Sequence, residues 1–415
     1  MSRRVLVTGI GVVSSLGFGR GEFWGNLVAG KSGVGPVEAF DTSSLGRSNA
    51  AEVRGFRPRD FLTAAEARRT GRCGAMTLAA ARMAWEDAAL PARHVKPERV
   101  SVVLGTTMGE ALVIEQLDHA WIHDGPEAVD DRLVTRYGAA LLPINVARAF
   151  GARGVTLALP AACAAGNYAI GFASDLIRSG RADVVITGSA ETLQQLQYSG
   201  FVRLGAVAPE RCQPFDLNRQ GLILGEGAGV LVVESEEHAV RRGAAALAEV
   251  GGYGLACDAY HITRPHPEAE GTISAIRRAL DATGITPDDV SLVNAHGTAT
   301  KANDQAEARA LREVFGPRRL PVTANKSMIG HAMGASSAIE AVACIMSVVE
   351  DACPPTMGYE TPDPECPIDV VTEPTKMTVD VVLNTALAFG GYDSVQVFGK
   401  PGKLPHPRDV KRLPS

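Results

Sequence analysis

The chain is predicted to be an α/β protein made of two copies of one unit. Three observations predict this. Short β-branched runs alternate with Ala-rich helical stretches, the pattern of parallel strands with crossover helices. Four landmarks of the first half recur in the same order in the second. A cysteine and two histidines sit in Gly-rich turns that follow strand-like runs.

Strands are expected at 5–8, 100–103, 155–159, 184–187, 230–233, 292–294, 321–324 and 395–398. The Ala-rich helices between them carry little side-chain bulk, so they can lie close on a sheet. In the repeat, Gly9-Ile10-Gly11 answers to Gly252-Tyr253-Gly254, and Val100-Ser101-Val102-Val103 to Val290-Ser291-Leu292-Val293. Cys163-x-x-Gly166 answers to His331-x-x-Gly334, and the turn and strand at 227–233 to 391–397. The expected division is 1–245, with most of its extra length between the first two landmarks and more across 109–137, then 246–400, then a Pro-rich basic tail at 401–415.

Composition narrows the class. The chain has 415 residues, 46% hydrophobic and 21% charged, with formal net charge −5. That argues against general nucleic-acid binding. No signal peptide or membrane span is expected. Seven cysteines occur at wide spacing without a Cys-x-x-Cys. A disulfide framework or zinc site is therefore not expected, no metal is assigned, and the cytoplasm fits best.

Cys163 lies in Leu159-Pro160-Ala161-Ala162-Cys163-Ala164-Ala165-Gly166. A thiol at a helix start is favoured toward thiolate by the N–H groups and the helix dipole. If the repeat is real, Cys163 and His331 are equivalent positions, and two helix starts converge on one pocket. His296 stands in Asn294-Ala295-His296-Gly297-Thr298-Ala299-Thr300, and Lys326 precedes His331 in Asn325-Lys326-Ser327-Met328-Ile329-Gly330-His331. Each has an ordinary reading alone. A free Cys is usually a small buried hydrophobe, a lone Lys a solvated charge, and Gly390-Gly391 a hairpin turn. Together, at strand ends, they point to an acyl-accepting nucleophile.

These motifs, with Pro214-Phe215-Asp216, Gly225-Glu226-Gly227-Ala228-Gly229, Asp258-Ala259-Tyr260-His261 and Phe389-Gly390-Gly391, resemble the β-ketoacyl-acyl carrier protein synthases of the thiolase superfamily. The likeness is to the synthase II branch and covers about residues 3 to 400. It implies a thiolase fold, two pseudo-repeated halves in an α-β-α-β-α layering. It implies that Cys163 takes an acyl chain from acyl carrier protein, with the Cys163 and Phe389 N–H groups as oxyanion hole. His296 and His331 would stabilise the enolate formed when malonyl carrier protein loses carbon dioxide. Lys326 would orient His331 or balance Glu340. Phe389, Gly390 and Gly391 would form the gate, and Thr263, Thr298 and Thr300 would hold the phosphopantetheine arm. Met108 and Phe201 would bound the acyl pocket. Arg68, Arg69, Arg72 and Arg203 would dock the acidic carrier, although a charge run is as readily a solvated face. No cofactor is implied beyond the carrier's own arm.

Some positions depart from the housekeeping pattern. Ala161 stands where those enzymes have Thr, and Ala388 and Tyr392-Asp393 flank the glycine pair. Thr300-Lys301-Ala302-Asn303-Asp304, Tyr392 and Pro362-Asp363-Pro364-Glu365-Cys366 resemble ketosynthase subunits of type II polyketide synthases. Such a chain would form a homodimer, or a heterodimer with a chain-length-factor-like subunit. The alternatives are a housekeeping elongation synthase II, a non-catalytic chain-length factor, and a degradative thiolase, which uses a second cysteine as base.

Overall fold

The computed structural model describes residues 3–90 and 95–406. The longer strands are β1 (Val5–Ser14), β2 (Val100–Thr106), β3 (Thr156–Pro160), β4 (Val184–Glu191), β5 (Gly227–Ser235), β6 (Ala248–Cys257), β7 (Leu292–Asn294), β8 (Pro321–Thr323), β9 (Val381–Ala388) and β10 (Tyr392–Gly399). The longer helices are α1 (Arg72–Asp87), α2 (Ala111–Asp124), α3 (Leu141–Phe150), α4 (Ala165–Arg178), α5 (Gln195–Arg203), α6 (Glu270–Thr283), α7 (Lys301–Phe315) and α8 (Ser336–Glu350).

The strands pair in the order β8-β7-β9-β10-β6-β1-β5-β4-β2-β3. Read outward from the β6–β1 junction, each half repeats the other: β1-β5-β4-β2-β3 answers to β6-β10-β9-β7-β8. All eight expected strands form. β6 and β9 were not among them, because β6 is Gly-rich and β9 carries Asn384 and two alanines, all poor strand formers. The sheet is mixed rather than parallel. β2 runs parallel to β3 and β4, and β7 to β8 and β9. β5 and β10 are antiparallel to both their neighbours, and β1 is antiparallel to β6. β9–β10 are joined by a short turn and β4–β5 by a long connection that carries α5, and as antiparallel pairs neither needs a crossover.

The halves fold over a central helical layer. α4 and α8 touch each other and strands of both halves, while α1 and α3 cover the first half outside and α6 the second. Alternate residues of β5 feed different layers: Leu231 and Val233 join the central core, Val230 and Val232 the outer one. This is the expected α-β-α-β-α layering. The apolar stretch Met333–Glu350 is long enough to cross a membrane by length and composition, but it is mostly buried as this central helix.

The glycine landmarks of the repeat have one physical cause. A Cβ on Gly11 would stand 1.8 Å from the Ala80 carbonyl oxygen and 2.8 Å from the Ala84 nitrogen. On Gly254 it would stand 1.9 Å from the Ala275 oxygen and 2.7 Å from the Ala279 nitrogen. Each half thus seats its outer Ala-rich helix directly on strand backbone. In the tail, Leu404 is buried and its carbonyl accepts from Arg4, so the chain packs past residue 401. Residues 407–415 of the expected tail lie outside the described residues.

Candidate active site

The parallel strands β3, β2 and β4 end side by side, and Cys163 follows β3. It sits in a single helical turn, Ala162–Ala164, that leads into α4. Ala162 is held at φ 45°, a left-handed conformation that costs an alanine energy and turns the backbone sharply before the nucleophile. The second half has the same device: the turn Met333–Ala335, Met333 at φ 46°, then α8. The two turns put Cys163 in register with Gly334, not with His331 as the motif match suggested. His331 lies three residues earlier, before the turn, and its backbone is pinned by Ile223 and Gly225 at 2.6 and 2.9 Å.

The rings converge as expected. His331 Nε2 is 3.1 Å from Cys163 Sγ, and its Nδ1 is 2.8 Å from Ser336 Oγ. The His296 ring meets the His331 ring edge-on, centroids 5.4 Å apart. Lys326 Nζ lies 3.2 Å from His296 Nδ1 and 2.6 Å from Glu340 Oε1, with both charged side chains fully buried. Lys326 therefore orients His296, not His331, because His331 has taken Ser336 instead.

Electrostatics correct one expectation. Burial pushes the Cys163 thiol up to about 12, against the opposing pull of Lys326 and of the Phe389 and Cys163 N–H groups. Desolvation outweighs the helix start, so the resting form is thiol. Burial, helped by Lys326, holds both histidines well below 6.5, so they are neutral. Burial raises Glu340 to about 7 against the adjacent Lys326. The Phe389 and Cys163 N–H groups both face the sulfur, the arrangement an oxyanion hole needs.

A cavity of about 730 Å³ opens onto this group. Its lining includes Cys163, His296, His331, Phe389, Phe201, Thr263, Thr298 and Thr300. Phe201 stacks on Phe389 with centroids 5.4 Å apart, and Thr298 Oγ1 meets Thr300 Oγ1 at 3.0 Å. Gly390 and Gly391 follow at φ 87° and 77°, values that favour glycine. Met108 does not line this cavity. It is half-buried at the end of β2, with its sulfur 3.2 Å from Gln194 Nε2.

The four arginines divide. Arg68, Arg69 and Arg203 are exposed. Arg72 is committed to the buried Glu226, at 2.5 and 3.0 Å, and is not a free docking charge. Two exposed cations not among the expected docking charges, Arg264 and Lys301, stand at the cavity itself.

Residues to which the sequence assigns no role support the site. Glu307 accepts from the His296 and Gly297 N–H groups at 2.7 and 2.9 Å and from Thr385 at 2.6 Å, fixing the turn that carries His296. A chain of buried amides runs Asn325 to Asn294 to Asn384 to Asn167, at 2.7, 2.9 and 2.9 Å. It ties together the segments that bear Lys326, His296, Phe389 and Cys163. Glu307 stands out in the sequence on the helix following His296, but nothing there assigns it this role. Asn294 and Asn325 lie in the motifs of His296 and Lys326, whereas Asn384 and Asn167 share no spacing with them that would announce the network.

Comparison with known proteins agrees with this geometry. Residues 2–239 match the model of the β-ketoacyl synthase N-terminal domain, and residues 247–360 that of its C-terminal domain. The 3-oxoacyl-[acyl-carrier-protein] synthase 2 of Synechocystis is 36% identical over 96% of this chain and 98% of its own length. That of Coxiella burnetii is 37% identical over 96% and 99%. Among solved structures, the ishigamide ketosynthase/chain length factor is 41% identical with a TM-score of 0.94, covering 96% of this chain and 100% of that one. A type II polyketide ketosynthase, bound to a hexaketide and in complex with its acyl carrier protein, is 32% identical with a TM-score of 0.89 and the same coverage. Matched in both domains and along nearly its whole length, the chain belongs to the β-ketoacyl synthase family.

Proposed function

We propose that this chain is the ketosynthase of a type II polyketide or specialised fatty-acid pathway. It condenses a Cys163-bound acyl chain with malonyl-acyl carrier protein. The observation that carries the reading is Cys163 Sγ at 3.1 Å from His331 Nε2, with His296 edge-on beside it and the Phe389 N–H facing the sulfur.

In the first half-reaction the thiol sulfur attacks the carrier thioester. His331 Nε2 accepts the thiol proton and returns it to the leaving pantetheine thiol. The oxyanion rests on the Cys163 and Phe389 N–H groups. In the second, malonyl carrier protein occupies the freed arm site near Thr298 and Thr300. The Lys326 ammonium donates to His296 Nδ1, which leaves the proton of the neutral ring on Nε2, available to the thioester oxygen. His331 leaves the first half-reaction with its proton on Nδ1, toward Ser336; exchange of that proton for one on Nε2 through solvent, with the Ser336 hydroxyl turning from acceptor to donor, gives the second Nε2–H. Carbon dioxide leaves, the two Nε2–H groups hold the enolate, and its carbon attacks the acyl-Cys163 carbonyl. The product is a 3-ketoacyl carrier, and the Cys163 thiolate regains a proton from solvent. No bound cofactor enters these steps.

For the pathway, support comes from two motifs distant in sequence. Arg219 lies 3.4 Å from Asp304, of the Thr-Lys-x-Asn-Asp motif, and 2.5 Å from Asp363, of Pro-Asp-Pro-Glu-Cys. The two polyketide-like motifs are therefore one buried cluster under the cavity wall. The partners in this reading are an acyl carrier protein and a second related chain. Edge strand β3 pairs only with β2, and Ile114, Trp121 and Ile122 of α2 are exposed, a surface suited to such a chain. The intact Cys163–His331–His296 group opposes a non-catalytic role. The seven free thiols support the cytoplasm as its compartment.

Intact-mass measurement after incubation with acyl carrier thioesters tests the reading. An acyl adduct should form and be absent in Cys163→Ala. Malonyl carrier should then discharge it as a 3-ketoacyl product. No adduct on the native chain overturns the reading. Native mass with candidate subunits distinguishes homodimer from heterodimer.

A further inference from the structure

The turn Phe389-Gly390-Gly391 is joined to the loop 258–269, which connects β6 to α6. Two backbone bonds make the joint. The Gly390 N–H donates to the Ile262 carbonyl at 2.7 Å, and the Asp258 N–H to that of Gly391 at 2.9 Å. The loop gives His261, Thr263, Arg264 and Pro265 to the wall of the cavity that leads to Cys163. It is held under strain, because Ala259 and Ala269 at its two ends stand at φ 47° and 55°. Its tip is little anchored, with Tyr260 53% and Ile262 78% exposed. Such a segment needs a fastening.

The fastening lies at its root. Asp258 accepts from the His266 N–H at 2.8 Å and from the Gly271 N–H, in the first turn of α6, at 3.2 Å. Opposite stands Asp393, two residues past the glycine pair and 2% exposed. Thr272 donates to its Oδ1 at 3.2 Å, but its Oδ2 meets no donor. What Oδ2 faces is Asp258. A Cβ on Gly271 would lie 2.2 Å from Asp393 Oδ2 and 2.5 Å from Asp258 Oδ1. Two carboxyl oxygens thus meet across a residue without a side chain, and one proton between them turns repulsion into a hydrogen bond. The other titratable groups around Asp393 are Glu307 from α7, Tyr168 from α4, and Tyr392 with Cys257 opposite it in the sheet. Glu270 adjoins Gly271, His266 stacks on Tyr260, and His261, Arg264 and Lys301 share the cavity with both carboxyls.

We propose that Asp258 and Asp393 share one proton, and that this acid pair fastens the loop to the Phe389 turn. When the proton leaves to solvent, the two carboxylates repel, the loop parts from the turn, and the cavity loses one wall. Asp393 is thus a positioning residue for whatever enters the cavity, and it makes that entry depend on pH. The inference rests on the ketosynthase reading only in taking the entrant to be a carrier arm.

Burial and Asp258 raise Asp393 to about 8, so the pair is mostly protonated at pH 7 and mostly ionised at pH 9. Cys163, at about 12, and the two histidines, held well below 6.5, keep one form over that interval. Hydrogen exchange read by mass, corrected for the intrinsic rate, should show peptides spanning 258–271 and 388–392 losing protection from pH 7 to pH 9. Those of α4 and α8 should keep theirs. KM for the acyl carrier in Cys163 acylation should rise about tenfold over the same interval, with kcat less affected. Asp393→Asn, whose amide donates to Asp258 at either pH, should abolish both changes. Asp393→Ala should show at pH 7 the exchange and KM of the native chain at pH 9. Unaltered protection of the two peptides overturns the inference, and so does a rise in KM that Asp393→Asn retains. If Asp393→Asn does not fold, the native exchange profile decides alone. Loss of protection without acylation at any pH overturns the ketosynthase reading and leaves the fastening standing.

Discussion

Lys326 makes two contacts, one to Glu340 and one to His296, and they can be separated. Lys326→Met leaves Glu340 buried without its cation, which costs about 3–5 kcal/mol when the surviving charge cannot adapt. Glu340 already titrates near 7 because of its burial. It can therefore take up a proton, and the expected loss is at the lower end, about 3 kcal/mol. In the double variant Lys326→Met/Glu340→Leu no charge is stranded, and stability should return to within about 1 kcal/mol of native. Activity should not return. Without the ammonium 3.2 Å away, nothing holds the His296 proton on Nε2, and an enolate donor is lost. Removing one such donor lowers the rate about 10²- to 10³-fold. Denaturant unfolding gives the stabilities, carbon dioxide release from malonyl carrier gives the decarboxylation rate, and intact mass gives Cys163 acylation. Acylation should persist, because Cys163 is paired with His331. A double variant that decarboxylates at the native rate would refute the reasoning and reduce Lys326 to a counter-ion.

Two further outcomes follow from particular contacts. Burial and the neighbouring Asp258 raise Asp393 from 3.8 to about 8. An acid raised on folding stabilises fully below its unfolded value and loses that contribution as pH rises through the folded one, so stability should fall between about pH 4 and pH 8. Asp393→Asn should flatten that slope and gain on the order of 1 kcal/mol at pH 8, read from melts across pH. An unchanged slope would sink the assignment. Gly254→Ala would set a Cβ 1.9 Å from the Ala275 carbonyl oxygen and should cost more than about 4 kcal/mol or abolish soluble expression. Gly25→Ala, at an exposed position of the helix Gly19–Val28 with nothing near its Cβ, should gain about 0.5–1 kcal/mol, and equal effects at both sites would contradict the packing account.

Much of the fold was legible because the same physical need recurs in both halves. Gly11 and Gly254 are glycine for one reason, so they read as a repeat even at low overall similarity. The nucleophile and imidazoles were legible because backbone exposure at strand ends demands glycines around them. Registers were less so. Cys163-x-x-Gly166 and His331-x-x-Gly334 share letters, yet the turns that share a conformation begin at Ala162 and Met333. Arg72 looked like a docking charge because a sequence does not tell which arginine will meet a buried Glu226. Burial likewise reversed the expected thiolate, since desolvation is set by neighbours far along the chain.

The three-residue offset between Cys163 and His331 explains how a nearly symmetric scaffold makes an asymmetric reaction. Were the two at mirrored positions, each would open its own helix and they would compete for the same place on the pseudo-twofold axis. Instead Gly334 takes the mirrored place. A Cβ there would come within 2.5 Å of the Thr107 nitrogen, so the second half yields that space to the end of β2. His331, displaced ahead of the turn, reaches the sulfur with Nε2 while Ser336, at the start of α8, holds Nδ1. The first half thereby carries the acyl group, and the second half supplies every group that handles the carbanion: His296, His331, Lys326 and Glu340. Changes at Lys326 should therefore slow the decarboxylation of malonyl while leaving the loading of Cys163 in place.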